Sequence, residues 1–328
     1  MKEILQGKKT EWKEGKPRKL RVSSLIKLKY IGERKLVKSI SEVTNTDISD
    51  DCAFIEFGRN YIVLTTDLIN EKTHIPKGST PYQIGWHLVA INLSDLAAKG
   101  AKPVGLLTAI GIPKDYELNF LKSLVKGMIA CARKFNTEII GGDTKENDIL
   151  TICGTAVGIV KKEEAMPRKG ARVGDIVCVT GKLGRAGIAL YKSIPSKVLA
   201  FNPRLKEGLA LAKTGAVTSC MDISDGLATS LYQLSELNKV GFELYYDKIP
   251  IVKSAKRLTI EEFALYSGGD YELLATLKKQ KLRVAVEAVK KVGGTLTPIG
   301  EVTKDKEIVL VKGALKVAIE NRGYEHFV

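Results

Sequence analysis

Met221-Asp222-Ile223-Ser224-Asp225-Gly226 sets two carboxylates three residues apart where one element hands over to another. Val217 to Cys220 are β-branched or small and read as the end of a strand. Leu227, Leu231, Leu234 and Leu237 then recur at helical spacing. Taken alone, this is an ordinary helix start, since Asp is a common N-cap and Asp-Gly a common turn. Similar carboxylates recur upstream at the edges of apolar elements, and that repetition narrows both fold and chemistry.

Read in order, residues 1–23 are rich in Lys and Arg with few apolar anchors and read as a flexible basic extension. Leu25 to Ile40 has helical spacing. Asp50-Asp51 precedes a short apolar strand, and Tyr61 to Asp67 is a second one ending Thr65-Thr66-Asp67. A helix begins at Pro81 and carries Asp95 in an otherwise apolar run, where a carboxylate needs a partner or a metal. Strand (104–112), helix (116–135) and strand (137–140) follow, the last ending in Gly141-Gly142-Asp143-Thr144, and 149–160 is a long strand.

Residues 161–174 are charged and read as a linker. Beyond it the chain restarts with a buried-type strand, a glycine-rich stretch at Gly181–Gly187, the Asp222 segment, a helix near 260–265, a strand at 273–277, a helix at 282–292 and a strand pair over 296–311. The organisation predicted is α+β in two domains, 24–160 and 161–328.

Composition limits the alternatives. No apolar run approaches the ~20 residues of a membrane span, and the N-terminus has no secretory h-region, so a cytoplasmic protein is expected. Five cysteines without a C-x-x-C pair point to buried free thiols rather than zinc or disulfides. The net charge of +15 fits an anionic partner, although much of it is lysine spread over helix surfaces. Nucleic acid is disfavoured, because the basic extension lacks interleaved aromatics.

Asp51, Asp67, Asp95, Asp143, Asp222 and Asp225 share one context, with Gly, Ser or Thr beside most of them and no Lys or Arg adjacent in sequence. If they converge, their repulsion demands cations, and hard oxygen donors select Mg²⁺ or Ca²⁺ over zinc. The phosphate-binding P-loop and the protein-kinase motifs are both missing from the sequence.

These pieces, in order, resemble the thiamine-monophosphate kinase family, in the superfamily of aminoimidazole ribonucleotide synthetase, selenophosphate synthetase and a hydrogenase-maturation protein. The matching segments are Asp50-Asp51-Cys52-Ala53, Thr65-Thr66-Asp67, Asn92-Leu93-Ser94-Asp95-Leu96-Ala97-Ala98, Gly141-Gly142-Asp143-Thr144, Asp222-Ile223-Ser224-Asp225-Gly226, Ser267-Gly268-Gly269-Asp270-Tyr271-Glu272-Leu273 and Gly323-Tyr324-Glu325-His326-Phe327. The resemblance implies a synthetase-like fold, with an N-terminal α/β domain that forms a homodimer and a C-terminal α+β domain. It implies ATP-dependent phosphorylation of thiamine monophosphate to thiamine diphosphate, with Mg²⁺.

Carried over position by position, the resemblance implies Mg²⁺ ligands at Asp51, Thr65, Thr66, Asp67, Asp95, Asp143, Asp222 and Asp225. It implies ATP contacts at Gly142, Asp143, Arg168 and Ser224, and substrate contacts at His74, Asp270 and Tyr324. Asp222, Asp225 and Arg168 are the expected catalytic groups. The sequence departs from the family in a Gly-Gly-Asp-Tyr-Glu-Leu motif one residue short, so Asp270 stands for either of two acidic residues. The glycine-rich loop is also shorter and carries Arg185, and the basic extension has no family counterpart. Other enzymes of the superfamily fit less well, because the C-terminal tail is of the thiamine-monophosphate kinase type.

Overall fold

The computed structural model describes residues 27–252 and 262–324. The expected extension (1–23) and the Glu325-His326-Phe327 end of the tail motif lie outside the described residues. Of the helix expected from Leu25, the described part is a 3-10 turn, Leu28–Tyr30, followed by α1, Glu33–Thr44. Gly32, with φ +77°, separates them in a conformation that side-chain-bearing residues disfavour.

The first sheet has five strands: β1 (Ala53–Phe57), β2 (Asn60–Asn70), β3 (Lys102–Ile112), β4 (Ile139–Glu146) and β5 (Thr151–Lys161). Their order is β1-β2-β5-β3-β4, antiparallel except for β3 and β4. That parallel pair needs a crossover, which α3 (Leu118–Lys134) supplies. β4 runs on through Gly141-Gly142-Asp143-Thr144 rather than stopping before it. Gly142 permits this, since a Cβ there would lie 1.9 Å from the Thr108 carbonyl oxygen of β3.

Between the two halves runs α2 (Pro81–Ala98), started by a capping box in which Thr80 and Gln83 exchange hydrogen bonds. It is apolar on nearly every side and therefore buried on nearly every side. One flank meets β2, β5 and α3. Another meets α6 (Leu205–Ala212) and β7 (Val217–Asp222).

The second sheet adds β6 (Ile176–Thr180), β8 (Gly241–Tyr245), β9 (Leu273–Leu277), β10 (Leu296–Thr303), β11 (Ile308–Lys312) and β12 (Leu315–Ala318), in the order β12-β11-β8-β10-β6-β9-β7. The strand pair expected over 296–311 does not form, because β8 lies between β10 and β11 and bonds to both. Helices α4 (Arg185–Tyr191), α5 (Pro195–Leu199), α7 (Leu227–Asn238) and α8 (Leu282–Lys291) complete this half. The described part of the helix expected near 260–265 is a single π-type turn, Glu262–Tyr266.

The architecture is α+β in two halves, as the sequence implied. Among the described residues, no helix is long and apolar enough to cross a membrane. The face of the first sheet away from α2 exposes half or more of Ile55, Phe57, Leu68, Val104 and Ile140.

Candidate active site at the junction of the two halves

Asp51, Asp95 and Asp222 converge, one oxygen of each lying within 4.8 Å of the others. They come from the segment before β1, from α2 and from the end of β7. Asp95 accepts a 2.5 Å hydrogen bond from the Thr65 hydroxyl of β2, and Asp222 accepts one of 2.6 Å from Ser94. Strand alternation places Asp67 on the same face of β2 as Thr65. Burial pushes the Asp67 carboxyl up to about 6, helped by Asp51 and Asp225, and pushes Asp222 up to about 7, helped by Asp51. Asp95 is raised well above the ordinary range, by burial and then by Asp67 and Asp222.

Asp51 moves the other way. Burial opposes its ionisation, but Arg168 and Lys99 outweigh burial and lower its pKa. The Arg168 guanidinium lies against Asp51, with Nε 2.8 Å away, and Nη1 donates to Gln233 at 2.9 Å. The buried Lys99 ammonium stands 2.5 Å from Asp50 and 2.6 Å from Asp51. The cations that adjacent sequence lacks thus arrive through the fold. Lys99 was missed by sequence reasoning. Its signal was a lysine four residues after Asp95 on an apolar helix, one turn along the same face.

Two expected ligands, Thr66 and Asp143, stand apart. The Thr66 side chain points to the opposite face of β2, toward Thr155 and the Gly154 carbonyl, so it does not reach Asp95. Thr65 reaches the cluster, but as a hydrogen-bond donor to Asp95. Register places Asp67 opposite Gly154, Gly154 opposite Thr108 and Thr108 opposite Gly142, so Gly142 and Asp143 sit three strand spacings away, roughly 14 Å. Asp143 lies exposed on the edge strand, its pKa lowered by the Thr144 amide and Lys145, and is not gathered into the cluster.

The Ser224–Gly226 loop is held closely on two sides. A Cβ on Gly268 would meet the Ser224 carbonyl oxygen at 2.6 Å, and one on Gly323 would meet that of Asp225 at 2.5 Å. The Tyr324 amide donates to the Asp225 carbonyl at 3.2 Å, which brings the tail to this loop. His74 follows β2 and bonds Thr73 at 2.6 Å. Tyr271 lies beside the cluster, and burial followed by Asp67, Asp222 and Asp225 raises its hydroxyl well above its usual range. Its φ of +53° is uncommon for a bulky residue, and its ring stacks on Phe201 at 4.3 Å.

Asp270, expected to touch substrate, is buried and committed elsewhere. Its two oxygens accept from the amides of Gly184 (2.5 Å) and Ala186 (3.0 Å) at the start of α4. Glu272 is likewise enclosed, by Arg204 and the Thr180 hydroxyl (2.7 Å).

Residues 49–160 match the N-terminal domain, and residues 172–313 the C-terminal domain, of the AIR synthase related proteins. The thiamine-monophosphate kinase of Methanospirillum hungatei is 38% identical over 264 residues, covering 80% of this chain and 91% of that protein. The chain belongs to the thiamine-monophosphate kinase family. Its member from Pyrococcus horikoshii is 30% identical over 296 residues, covering 88% of this chain and 93% of that protein. Among solved structures, one described as "AaThiL complexed with AMPPCP and TMP" superposes with TM-score 0.82 at 27% identity. It covers 93% of this chain and all of that one. The hydrogenase-maturation protein HypE of E. coli shares the fold, with TM-score 0.68 at 19% identity over 88% of this chain and 96% of that one.

Proposed function

We propose that this chain transfers the γ-phosphoryl group of ATP to the phosphate of thiamine monophosphate, giving thiamine diphosphate and ADP. The observation that carries the reading is the convergence of Asp51, Asp95 and Asp222 at a junction whose relatives are thiamine-monophosphate kinases. The family relative solved with an ATP analogue and TMP supports both substrates.

The donor set fits Mg²⁺. It is all oxygen, and burial leaves Asp67, Asp95 and Asp222 with raised pKa values, which a bound cation would reverse. Asp67, Asp95, Asp222 and Asp225 would hold the ion or ions, with Asp51 behind them. Bound Mg²⁺ supplies neutralisation of charge on the phosphate oxygens.

The chain's own residues do the positioning. Ser94 and Thr65 orient Asp222 and Asp95, and Arg168 adds fixed positive charge beside the cluster. The acceptor phosphate is already largely ionised at neutral pH, its second pKa being about 6, so the transfer needs no general base. Alignment of two anions and electrostatic compensation then account for the catalysis. Ser224, Gly142 and Asp143 are assigned to nucleotide, and His74 and Tyr324 to substrate. Asp270 positions the start of α4.

The bare face of the first sheet is assigned to a second copy of the chain, forming a homodimer. Apolar strands with helices on one side only need a second cover. That face also carries Gly142 and Asp143 at its edge. The five cysteines are free, which fits a reducing cytoplasm.

The test is purified protein with Mg-ATP and thiamine monophosphate, quantifying both products. Equal formation of thiamine diphosphate and ADP is expected. ATP binding without thiamine diphosphate would overturn the assignment of acceptor.

A further inference from the structure

Lys99 ends the turn that follows Asp95, and its side chain is wholly buried, with 0% exposure. Lysine is almost never buried so fully unless partners replace its water. Its ammonium has four such partners: Asp50 at 2.5 Å, Asp51 at 2.6 Å, and the carbonyls of Cys220 at 2.9 Å and Met166 at 3.4 Å. These come from the segment before β1, from β7 and from the linker, so one cation ties both halves together. Asp51 is held on both oxygens, Oδ2 by Lys99 and Oδ1 by Arg168. The same carboxylate borders Asp95 and Asp222.

We propose that Lys99 is a fixed internal cation that does for Asp51 what a divalent ion would otherwise do, so that the site takes one divalent ion fewer and Asp51 is a positioning residue. The inference rests on the reading that the aspartate cluster holds Mg²⁺. Charge makes the argument. Lys99 and Arg168 compensate Asp50 and Asp51, leaving Asp67, Asp95, Asp222 and Asp225, whose summed charge matches two divalent ions. Removal of Lys99 leaves a fifth uncompensated carboxylate, which only another cation can satisfy. Arginine would keep the charge in place.

The experiment counts bound Mn²⁺ by the EPR signal of the free ion, in the wild type, Lys99→Met and Lys99→Arg. Thermal melting is recorded in EDTA and in saturating Mn²⁺. Lys99→Met should bind one more ion, or bind its weakest ion at least about tenfold more tightly. It should melt several degrees below wild type in EDTA, with Mn²⁺ closing that gap, and Lys99→Arg should track the wild type. Equal stoichiometry and affinity in Lys99→Met, or a melting gap that Mn²⁺ leaves unchanged, would overturn the proposal. Should Lys99→Met not fold, Asp51→Asn with the lysine intact decides. An unchanged ion count is expected there, and loss of an ion contradicts the inference. Wild-type protein that binds no Mn²⁺ would overturn the metal reading itself.

Discussion

The Ser94 hydroxyl donates to Asp222 at 2.6 Å, so the last turns of α2 in the first half hold the carboxylate that ends β7 in the second. The next residue, Asp95, accepts from Thr65 of β2 at 2.5 Å. Two consecutive helical side chains thus serve the two sheets. The separation of Asp95 from Asp222 is set by how α2 packs, and this relationship gives the first prediction.

Asp95→Asn and Asp222→Asn should each lower kcat at saturating ATP by about 100-fold and raise the Mg²⁺ requirement. Ser94→Ala should cost roughly 10- to 100-fold with both carboxylates intact, because it frees Asp222 to turn. Steady-state kinetics across a Mg²⁺ titration check this. Unchanged Mg²⁺ dependence in both Asn variants would count against the ligand assignment.

Without metal, acid should stabilise this protein. Asp67 titrates near 6 and Asp222 near 7 in the folded state, against about 4 when unfolded. The folded state therefore binds more protons between pH 4 and 7. The stability these groups contribute is fully present below pH 4 and is lost as pH rises through 6 to 7. Calorimetry in EDTA should show Tm falling from pH 5 to pH 8, and saturating Mg²⁺ should flatten the profile.

His87 acts with the opposite sign. Burial depresses its imidazole to about 4, below the unfolded value of 6.5, so its contribution is present above pH 6.5 and is lost as pH falls toward 4. Its Nδ1 lies 3.2 Å from the Leu199 carbonyl, and its ring meets Phe201 and Tyr271 edge-on. His87→Phe should therefore steepen the acid-side gain of the EDTA protein. Paired melts at pH 5 and pH 7 measure the change.

The carboxylates at element edges were legible because strand and helix periods expose them: Asp95 in an apolar helix, Asp67 after a β-branched run. Strand alternation puts Thr65 with Asp67 and Thr66 on the other side. Which of those two sides meets Asp95 of α2 is a long-range fact. The insertion of β8 between β10 and β11 was hidden for the same reason, since adjacency in sequence favoured a hairpin. Lys99 was overlooked because a lysine at a helix end ordinarily reaches water, and here the linker and β7 close over it. Asp270 could not be assigned from a motif one residue short. In the fold its two oxygens accept from two amides at the start of α4.

Asp270→Ala should therefore behave as a stability variant. Two buried amides lose their acceptor, at a cost of about 1–3 kcal/mol each. Chemical denaturation should show that loss, while KM for thiamine monophosphate changes by less than about threefold. A large KM increase at unchanged stability would restore it as a substrate contact.

Leu107 and Val104 lie on the exposed face of β3. Leu107→Glu or Val104→Glu places a charge in the proposed dimer seam, where an unpaired buried charge is costly. Sedimentation should show a dimer for the wild type and a monomer for the variants. Wild-type protein that sediments as a monomer would remove the dimer proposal.

The central claim is direct transfer between two aligned phosphates, and labelled ATP tests it most directly. With ³²P in the γ position, one turnover at saturating Mg²⁺ should place the label in thiamine diphosphate, with none retained on the protein and none released as inorganic phosphate. Label retained on the protein, or label in inorganic phosphate with thiamine monophosphate unchanged, would contradict the account.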